Sequence, residues 1–430
     1  MALSREAQEL LVRVGRGTAM GTLMRRYWLP ILLDTELAEA DGPQVRVRIL
    51  GEDLLAFRDS DGRIGLIDQF CAHRGVSLFF GRNEECGIRC PYHGWKYDLT
   101  GQCVDMPSEP EESSFKAKVK LAAYPCIEAG GLIWTYLGPA ELQPPPPNFD
   151  WLRVPPENIF WTKREQESNW LQAVEGALDS SHVGVLHRYE LDHDRLHQDA
   201  EGPKFIKADK RPKFFTMPMP FGTAIGARRN GDGDERWYWR MTPFIMPFHQ
   251  MVPPYGDNPT GGHSFVPIDD ENVFSYSFYW HPTKPIDAEL RASMESGQGI
   301  HSVNIPGTFK PVANKSNDYL IDRQAQKDRK TFSGVIGIAQ QDAACQESMG
   351  AIQDRSRERL GTSDAGIIAA RERLLDAVIA LRDRGTTPPG LNPEDQHVRS
   401  ASVLLPKDVP FERAAREAMI PGAGAPLVSV

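Results

Sequence analysis

The chain has 430 residues, of which 40% are hydrophobic and 25% are charged, and its formal net charge is −9. This length exceeds one ordinary hydrophobic core, so we expect two domains or one large composite. The acidic balance argues against nucleic-acid binding, which requires clustered Lys and Arg, although one buried Arg or Lys could still bind a small anion. The sequence shows neither a long apolar run nor a secretory signal, and we therefore expect a cytoplasmic protein with no membrane partner.

Three segments are predicted in chain order. Residues 1–39 begin with a short helix and form a helical segment that packs on the larger domain. Residues 40–138 contain short alternating stretches separated by turn residues such as Asp61-Gly62, which predicts a small antiparallel β domain. After a proline-rich linker, residues 139–430 mix a helix over 170–187, a strand-rich region and a long final helix, which makes the whole chain an α+β protein.

The small β domain carries two short loops, each with a matched pair of metal-ligand residues. Cys71 and His73 are one residue apart, and after a spacer of sixteen residues Cys90 and His93 follow with two residues between them. Two thiolates can hold one iron of a [2Fe–2S] cluster and two imidazoles the other, which raises the reduction potential. A structural zinc site is the alternative, but zinc sites usually place the cysteines together and the histidines together, whereas here each loop carries one of each.

A second metal site is predicted between Glu175 and His187. On the expected helix, Glu175, Asp179 and His182 share one face. His187 lies about 140° away from His182 on a regular helix, so a local break or π-bulge is needed to aim both at one metal. Two histidines and a carboxylate leave open positions that suit ferrous iron and O2. The third ligand must come from elsewhere in the chain; Asp342 is our first choice and Glu347 is the reserve.

At these residues the sequence resembles the α-subunits of Rieske non-heme iron aromatic-ring hydroxylating oxygenases, in the branch of phthalate 4,5-dioxygenase and the chlorobenzoate and phenoxybenzoate dioxygenases. The likeness extends over nearly the whole chain. Besides the metal motifs it includes Arg25-Arg-Tyr-Trp28, Gly51-Glu-Asp-Leu54, Asn169-Trp-Leu-Gln172, Gln346-Glu-Ser-Met-Gly350 and Asp354-Arg-Ser356.

The resemblance implies a Rieske domain at 40–138 and a catalytic domain at 139–430, whose antiparallel sheet is flanked by helices in a helix-grip arrangement. It also implies a head-to-tail homotrimer, or two stacked trimers, in which the cluster of one subunit faces the iron of the next. Asp179 would then connect His93 of the partner subunit to one of the iron-binding histidines, because a carboxylate between two imidazoles orients both rings.

By the same resemblance Asp342 matches the third iron ligand. Glu175 takes a position near the iron where many relatives carry Asn. Asp179 and Glu175 are therefore the predicted catalytic residues.

The implied activity is that of a terminal oxygenase in the catabolism of aromatic compounds. An NADH-dependent reductase with flavin and an iron–sulfur centre would supply electrons, and O2 would dihydroxylate a small aromatic carboxylate to a cis-dihydrodiol. A monooxygenase or O-demethylase on the same scaffold shares every metal motif and remains an alternative. A Rieske ferredoxin would need only the small domain, and a zinc-stabilised binding module would lack the iron–sulfur colour.

An aromatic acid requires a cationic or hydrogen-bonding group in an otherwise apolar pocket. Ser180 follows the bridging aspartate, as in phthalate-type enzymes. Lys207, Arg228 and Arg240 lie in or beside the strand-rich region that should line the pocket. Arg240 is preferred because large apolar residues flank it on both sides, which is unusual for a surface charge.

Overall fold

The computed structural model describes residues 3–197, 200–233, 235–420, 422 and 429–430. Its helices are α1 (Arg5–Val12), α2 (Ala19–Met24), α3 (Trp170–Leu178), α4 (Glu190–His193), α5 (Gly202–Ala208), α6 (Ala288–Glu295), α7 (Arg323–Lys327), α8 (Ile338–Ser348), α9 (Ala365–Arg384) and α10 (Phe411–Met419). None of the helices in the described part of the chain combines the length and the apolar character that a membrane crossing requires.

The strands of the N-terminal half are β1 (Trp28–Leu33), β2 (Val45–Ile49), β3 (Glu52–Arg58), β4 (Ile64–Asp68), β5 (Arg82–Glu84), β6 (Gly87–Arg89), β7 (Lys96–Tyr97), β8 (Cys103–Asp105), β9 (Ala123–Tyr124), β10 (Cys126–Ala129) and β11 (Leu132–Tyr136). They form three antiparallel sheets, with the orders β2-β3-β4-β9, β5-β6-β7-β8 and β1-β11-β10. The predicted hairpin at Asp61-Gly62 joins β3 to β4. Leu55, Phe57, Leu78 and Tyr97 contribute to a hydrophobic core that is separate from the main core of the protein.

The N-terminal segment is not wholly helical, in contrast to the prediction. Helices α1 and α2 pack against α9 of the larger domain, as expected. Strand β1, however, pairs with β11, because the apolar run Trp28–Leu33 is buried against a matching apolar strand. The segment therefore connects both domains.

The larger domain is built on one antiparallel sheet. Its strands are β12 (Ile159–Gln166), β13 (Lys213–Met219), β14 (Gly222–Asn230), β15 (Arg236–Ile245), β16 (His249–Met251), β17 (Thr260–Pro267), β18 (Val273–Trp280) and β19 (Ala401–Pro406). The order is β12-β18-β17-β16-β15-β14-β13, and β19 pairs with β15. Helices α3, α9 and α10 pack against this sheet, so the α+β class and the helix-flanked sheet are confirmed.

The helix predicted over 170–187 is shorter than expected. It ends at Leu178, where Asp179 adopts an extended conformation with φ −82° and ψ 112°. A separate 3-10 turn follows at His182–Gly184. Glu175, Asp179 and His182 therefore do not share one helix face, and this end of α3 is where the chain bends into the second metal site.

Candidate functional site

The two loops of the small domain fold in the same way. The carbonyl of Cys71 accepts a hydrogen bond from the backbone N–H of Gly75 at 2.9 Å, and that of Cys90 accepts one from Gly94 at 3.1 Å. Both glycines have positive φ, +72° and +78°, a conformation that side chains disfavour. Each loop thus presents its cysteine and its histidine from an equivalent tight turn.

The four predicted cluster ligands converge with like groups beside each other. The Nδ1 atoms of His73 and His93 lie 3.1 Å apart. Cys71 and Cys90 are buried, and burial together with the nearby Cys71 thiol raises the pKa of Cys90. His73 is exposed and stacks on Trp95, with ring centroids 4.5 Å apart. The imidazoles therefore face outward and the sulfurs inward.

This arrangement fits two irons better than one zinc. Zinc holds its ligands at about 2.0–2.3 Å, so the ligand atoms lie within about 4 Å of one another. Among the described residues, no three of these four ligand atoms lie within 4.8 Å of one another. A [2Fe–2S] cluster is bound by two thiolates at one iron and by two imidazoles at the other. The folded loops provide the same separation, because their two cysteines lie inward and their two histidines lie outward.

The second predicted metal site is brought together from two parts of the chain. His182 and His187 both lie beyond the end of α3, and their Nε2 atoms are 3.1 Å apart. Asp342, on α8, places Oδ1 3.5 Å from Nε2 of His182 and 3.1 Å from Nε2 of His187. The three ligand atoms lie within 4.8 Å of one another, and this donor set suits ferrous iron with open positions.

The far nitrogen of each histidine is held by a polar side chain. Nδ1 of His182 lies 3.3 Å from a carboxylate oxygen of Asp179, and Nδ1 of His187 lies 2.7 Å from the amide oxygen of Gln341. The amide nitrogen of Gln341 in turn donates to Glu190. Such contacts fix the ring orientation of a metal ligand.

The charges within the triad stabilise one another. Burial alone would raise the pKa of Asp342, but His187 and His182 lower it to about 2. Burial alone would lower the pKa of His182, but Asp179 and Asp342 raise it. The site is therefore an anionic carboxylate held against two imidazoles, ready for a cation.

A cavity opens directly onto this triad. Its wall is formed by β15, β16 and β17 on one side and by α3 and α8 on the other. Much of the lining is apolar, including Leu191, Val252, Phe265, Ile300 and Ile338. A few polar side chains interrupt it, which is the usual composition of a small-molecule site.

Arg240 is the predicted substrate residue that lies in this cavity. It is 2% exposed, and its guanidinium lies 4.4 Å from the ring centroid of Tyr255. Within the described ranges, its Nε and Nη1 atoms have no hydrogen-bond partner. Burial of a charge without a carboxylate partner is costly, so Arg240 is poised to bind an anion from the cavity.

Ser180 also lines the cavity. Behind it lies Arg229, which is 2% exposed and donates to the Ser180 carbonyl at 2.9 Å and to its hydroxyl oxygen at 3.4 Å. In the described part of the chain no carboxylate pairs with Arg229. Because the hydroxyl oxygen accepts from Arg229, its hydrogen is free to donate towards the cavity.

Three predicted site residues lie elsewhere. Lys207 is partly exposed and paired with Asp192, and Arg228 stacks on Phe215, Trp237 and Trp239 at the other face of the sheet. Neither residue lines the cavity. The predictions for Lys207 and Arg228 are therefore corrected. The ion pair with Asp192 holds Lys207 away from the cavity, and strand alternation turns Arg228 to the other face of the sheet.

Glu175 is the third correction. It is buried and forms ion pairs with Arg355 at 2.9 Å and Arg371 at 2.7 Å. Because α3 turns this residue away from the cavity that Gly176 and Asp179 line, the structure places Glu175 in a buried ion-pair cluster and not beside the predicted iron ligands.

Sequence reasoning missed Gln341, Arg229 and Gln250. Gln341 precedes a predicted ligand, so its position was a usable signal. Arg229 and Gln250 reach the site through the register of the β14–β15 and β16–β17 pairs, which the local sequence does not fix.

Known protein families match both the small β domain and the larger domain of this chain. The family described as Rieske [2Fe-2S] domain matches residues 27–125, and the family described as LigXa C-terminal domain like matches residues 135–416. The crystal structure of dicamba monooxygenase bound to 3,6-dichlorosalicylic acid superposes with a TM-score of 0.59 at 17% identity, covering 84% of this chain and 99% of that one. This likeness shows the fold.

Three relatives align over most of their length. The 3-chlorobenzoate-3,4-dioxygenase oxygenase subunit of Comamonas testosteroni is 40% identical, over 96% of this chain and 98% of the relative. The phthalate 4,5-dioxygenase oxygenase subunit of Pseudomonas putida is 37% identical, over 88% and 87%. The 5,5'-dehydrodivanillate O-demethylase oxygenase subunit of Sphingobium sp. is 30% identical, over 98% and 89%.

The chain therefore belongs to the Rieske non-heme iron oxygenases. Within that family it groups with the oxygenase subunits of the chlorobenzoate and phthalate dioxygenases. It is an oxidoreductase that carries a Rieske cluster and a mononuclear iron, and it acts with O2 and a separate electron-supplying protein.

Proposed function

We propose that this oxygenase dihydroxylates a small aromatic carboxylate of the phthalate, chlorobenzoate or phenoxybenzoate kind. The observation that carries the proposal is Arg240, a buried cation with unpaired donors in the wall of the cavity at the iron triad. A charge-assisted hydrogen bond from this guanidinium would hold the carboxylate, while the apolar lining takes the ring. Ser180, backed by Arg229, supplies a further donor for the same anionic group.

We assign the metals to the residues that converge. Cys71, His73, Cys90 and His93 would hold the cluster, and His182, His187 and Asp342 the single iron. When bound, the iron supplies the activation of O2 and the cluster stores one electron for it. The overall reaction joins the ring, O2, two electrons and two protons into a cis-dihydrodiol. The protein orients the ring and excludes water from the triad.

We further propose that electrons cross a subunit boundary in a head-to-tail trimer, alone or as a stacked pair. His73 is exposed, and the apolar side chains of Phe70, Phe80 and Tyr92 are 41%, 66% and 55% exposed around the cluster loops. Exposed apolar groups of this kind favour a protein contact. Asp179 keeps 22% of its side chain exposed while it contacts His182, so it can reach a histidine of a neighbouring subunit.

The partner would be an NADH-dependent reductase with flavin and an iron–sulfur centre. The test is oxygen uptake by the loaded enzyme with a surrogate reductase of this type, against 3-chlorobenzoate, the phthalate isomers and phenoxybenzoate. A cis-dihydrodiol formed in proportion to the O2 consumed is the expected result. Uptake without ring oxidation for every aromatic carboxylate would overturn the proposal.

O-demethylation is the second candidate, because an O-demethylase subunit aligns with 98% of this chain. It uses the same residues and differs in which bond of the substrate faces the iron. Methoxybenzoates separate the two candidates, because a demethylase releases formaldehyde and a phenol from them and a dioxygenase forms a diol.

A further inference from the structure

Gln250, in the middle of β16, stands out among the polar residues of the cavity. The residue is 1% exposed and lines the cavity. Both its amide oxygen and its amide nitrogen are buried and have no hydrogen-bond partner among the residues that the structure describes. Buried side-chain amides are normally paired, because an unpaired donor or acceptor loses its hydration without compensation. A fully unpaired amide in a cavity wall therefore points to a ligand group.

The strand neighbours of Gln250 carry no charge. Its neighbours across the sheet are Phe244 on β15 and His263 on β17. Nδ1 of His263 is already engaged by the Ser277 hydroxyl at 2.9 Å. Burial, assisted by the charge of Arg164, lowers the pKa of His263 to about 3, so this imidazole is uncharged at neutral pH. These neighbours therefore supply no positive charge for a second carboxylate. Arg164, which also lines the cavity, already interacts with the carboxylates of Glu347 and Asp342.

Gln250 and Arg240 contact different parts of the cavity. The register places Gln250 beside Phe244, four residues along β15 from Arg240, which corresponds to a rise of about 13 Å. Both side chains line the same cavity. One ring can therefore contact the guanidinium at one edge and the amide at the other.

We infer that Gln250 determines substrate specificity by binding a neutral ring substituent that both donates and accepts a hydrogen bond, namely a hydroxyl group. The inference rests on the proposed function, in which Arg240 holds the carboxylate. A hydroxyl satisfies the amide oxygen and the amide nitrogen together. A chloro or methyl group leaves both unpaired, and a second carboxylate would face the amide oxygen with like partial charge. Among the small aromatic carboxylates of the proposed function, those with a ring hydroxyl are thus preferred over the chloro-substituted and dicarboxylate compounds.

The test compares substrates that differ only in this group. The loaded enzyme is titrated without O2 by calorimetry with 3- and 4-hydroxybenzoate and with the matching methylbenzoates, and kcat/KM is then measured by oxygen uptake and product analysis. Wild type is expected to favour one hydroxybenzoate over its methyl counterpart by about tenfold or more. Gln250→Met, which keeps the length and removes both hydrogen-bonding atoms, should abolish that preference and leave methylbenzoate binding equal or tighter.

The control is Gln324→Met, at an exposed glutamine on α7, which should leave both affinities unchanged. Equal effects of Gln250→Met on hydroxy- and methylbenzoates would overturn the inference and leave the proposed function intact. If Gln250→Met does not fold, the wild-type comparison alone decides, because a wild type that prefers methylbenzoates also overturns it. A wild type that binds and oxidises no aromatic carboxylate would refute the proposed function itself.

Discussion

The two metal sites of this chain differ in exposure more than in composition. Each uses two histidines, but His73 of the cluster loops is exposed, whereas His187 of the triad is 4% exposed and lines the cavity. An exposed imidazole can exchange electrons with another protein surface. His182 and Asp342 are only partly exposed, so a substrate bound in the cavity can keep water away from the reacting atoms. The contrast assigns electron entry to one domain and chemistry to the other, and mutations should separate the two.

Loss of a triad ligand should have the largest effect. His182→Ala removes one of the two imidazoles of the triad. Loss of a residue that only orients a metal ligand costs up to about 100-fold, so loss of the ligand itself should lower turnover by more than that. The visible absorption of the cluster should remain, because the cluster loops belong to a separate core. Stopped turnover with an unchanged spectrum supports separate sites, and a bleached spectrum contradicts them.

Asp179→Asn tests the connection between the sites. The change keeps the size of the side chain and removes the charge that faces Nδ1 of His182. We expect both metals to stay bound and electron transfer to the iron to slow by roughly 10–100-fold. Single-turnover kinetics with the reduced enzyme measure this rate, and an unaltered rate would argue against a connecting role.

Arg240→Met changes only the cavity beside the iron triad. The loss of a charge-assisted hydrogen bond should raise KM for a carboxylated substrate by about 10-fold or more, with a smaller effect on kcat. Initial rates over a range of substrate concentrations give both constants. An unchanged KM would place the carboxylate contact elsewhere, and Arg228→Met, outside the cavity, is the matched control.

Gln341→Leu should have a smaller effect on the same site. His187 loses the acceptor at 2.7 Å from its Nδ1 atom, so the ring orientation is less fixed. Iron affinity should fall by about tenfold, while kcat at saturating iron stays near the wild-type value. Titration of the iron-depleted enzyme with Fe(II) measures the affinity; a wild-type value would mean that the ring is held by packing alone.

Glu175→Gln should change stability and leave activity per folded molecule unchanged. Removal of one charge from the buried pair with Arg355 costs about 3–5 kcal/mol of unfolding free energy. Burial alone would raise the pKa of Glu175, but Arg355 and Arg371 lower it. Its contribution is therefore present above the ordinary glutamate pKa and is lost as the pH falls, so the difference between variant and wild type should shrink in acid.

Denaturant unfolding at neutral and acidic pH measures this difference. A variant that unfolds like wild type but turns over slowly would instead return Glu175 to the active site.

The sequence predicted best those features that depend on residues close together in the chain. The cluster loops combine ligands and turn glycines within a few residues, so their form could be predicted. His182 and His187 were recognised, but the end of α3 was placed too late, which put Glu175 on the wrong face. Asp342 was chosen among candidates and then supported by the resemblance, because α8 meets α3 only in the folded chain. The cavity residues Arg229 and Gln250 depend on strand register across the sheet, which a single sequence does not encode locally.

Iron and acid-labile sulfide, counted in purified wild type and in His182→Ala, decide whether the chain holds two separate metal sites. We expect about three irons and two sulfides per chain in wild type, and about two of each in the variant. A wild type with stoichiometric zinc and no sulfide, or a variant that loses sulfide together with iron, would contradict two separate sites.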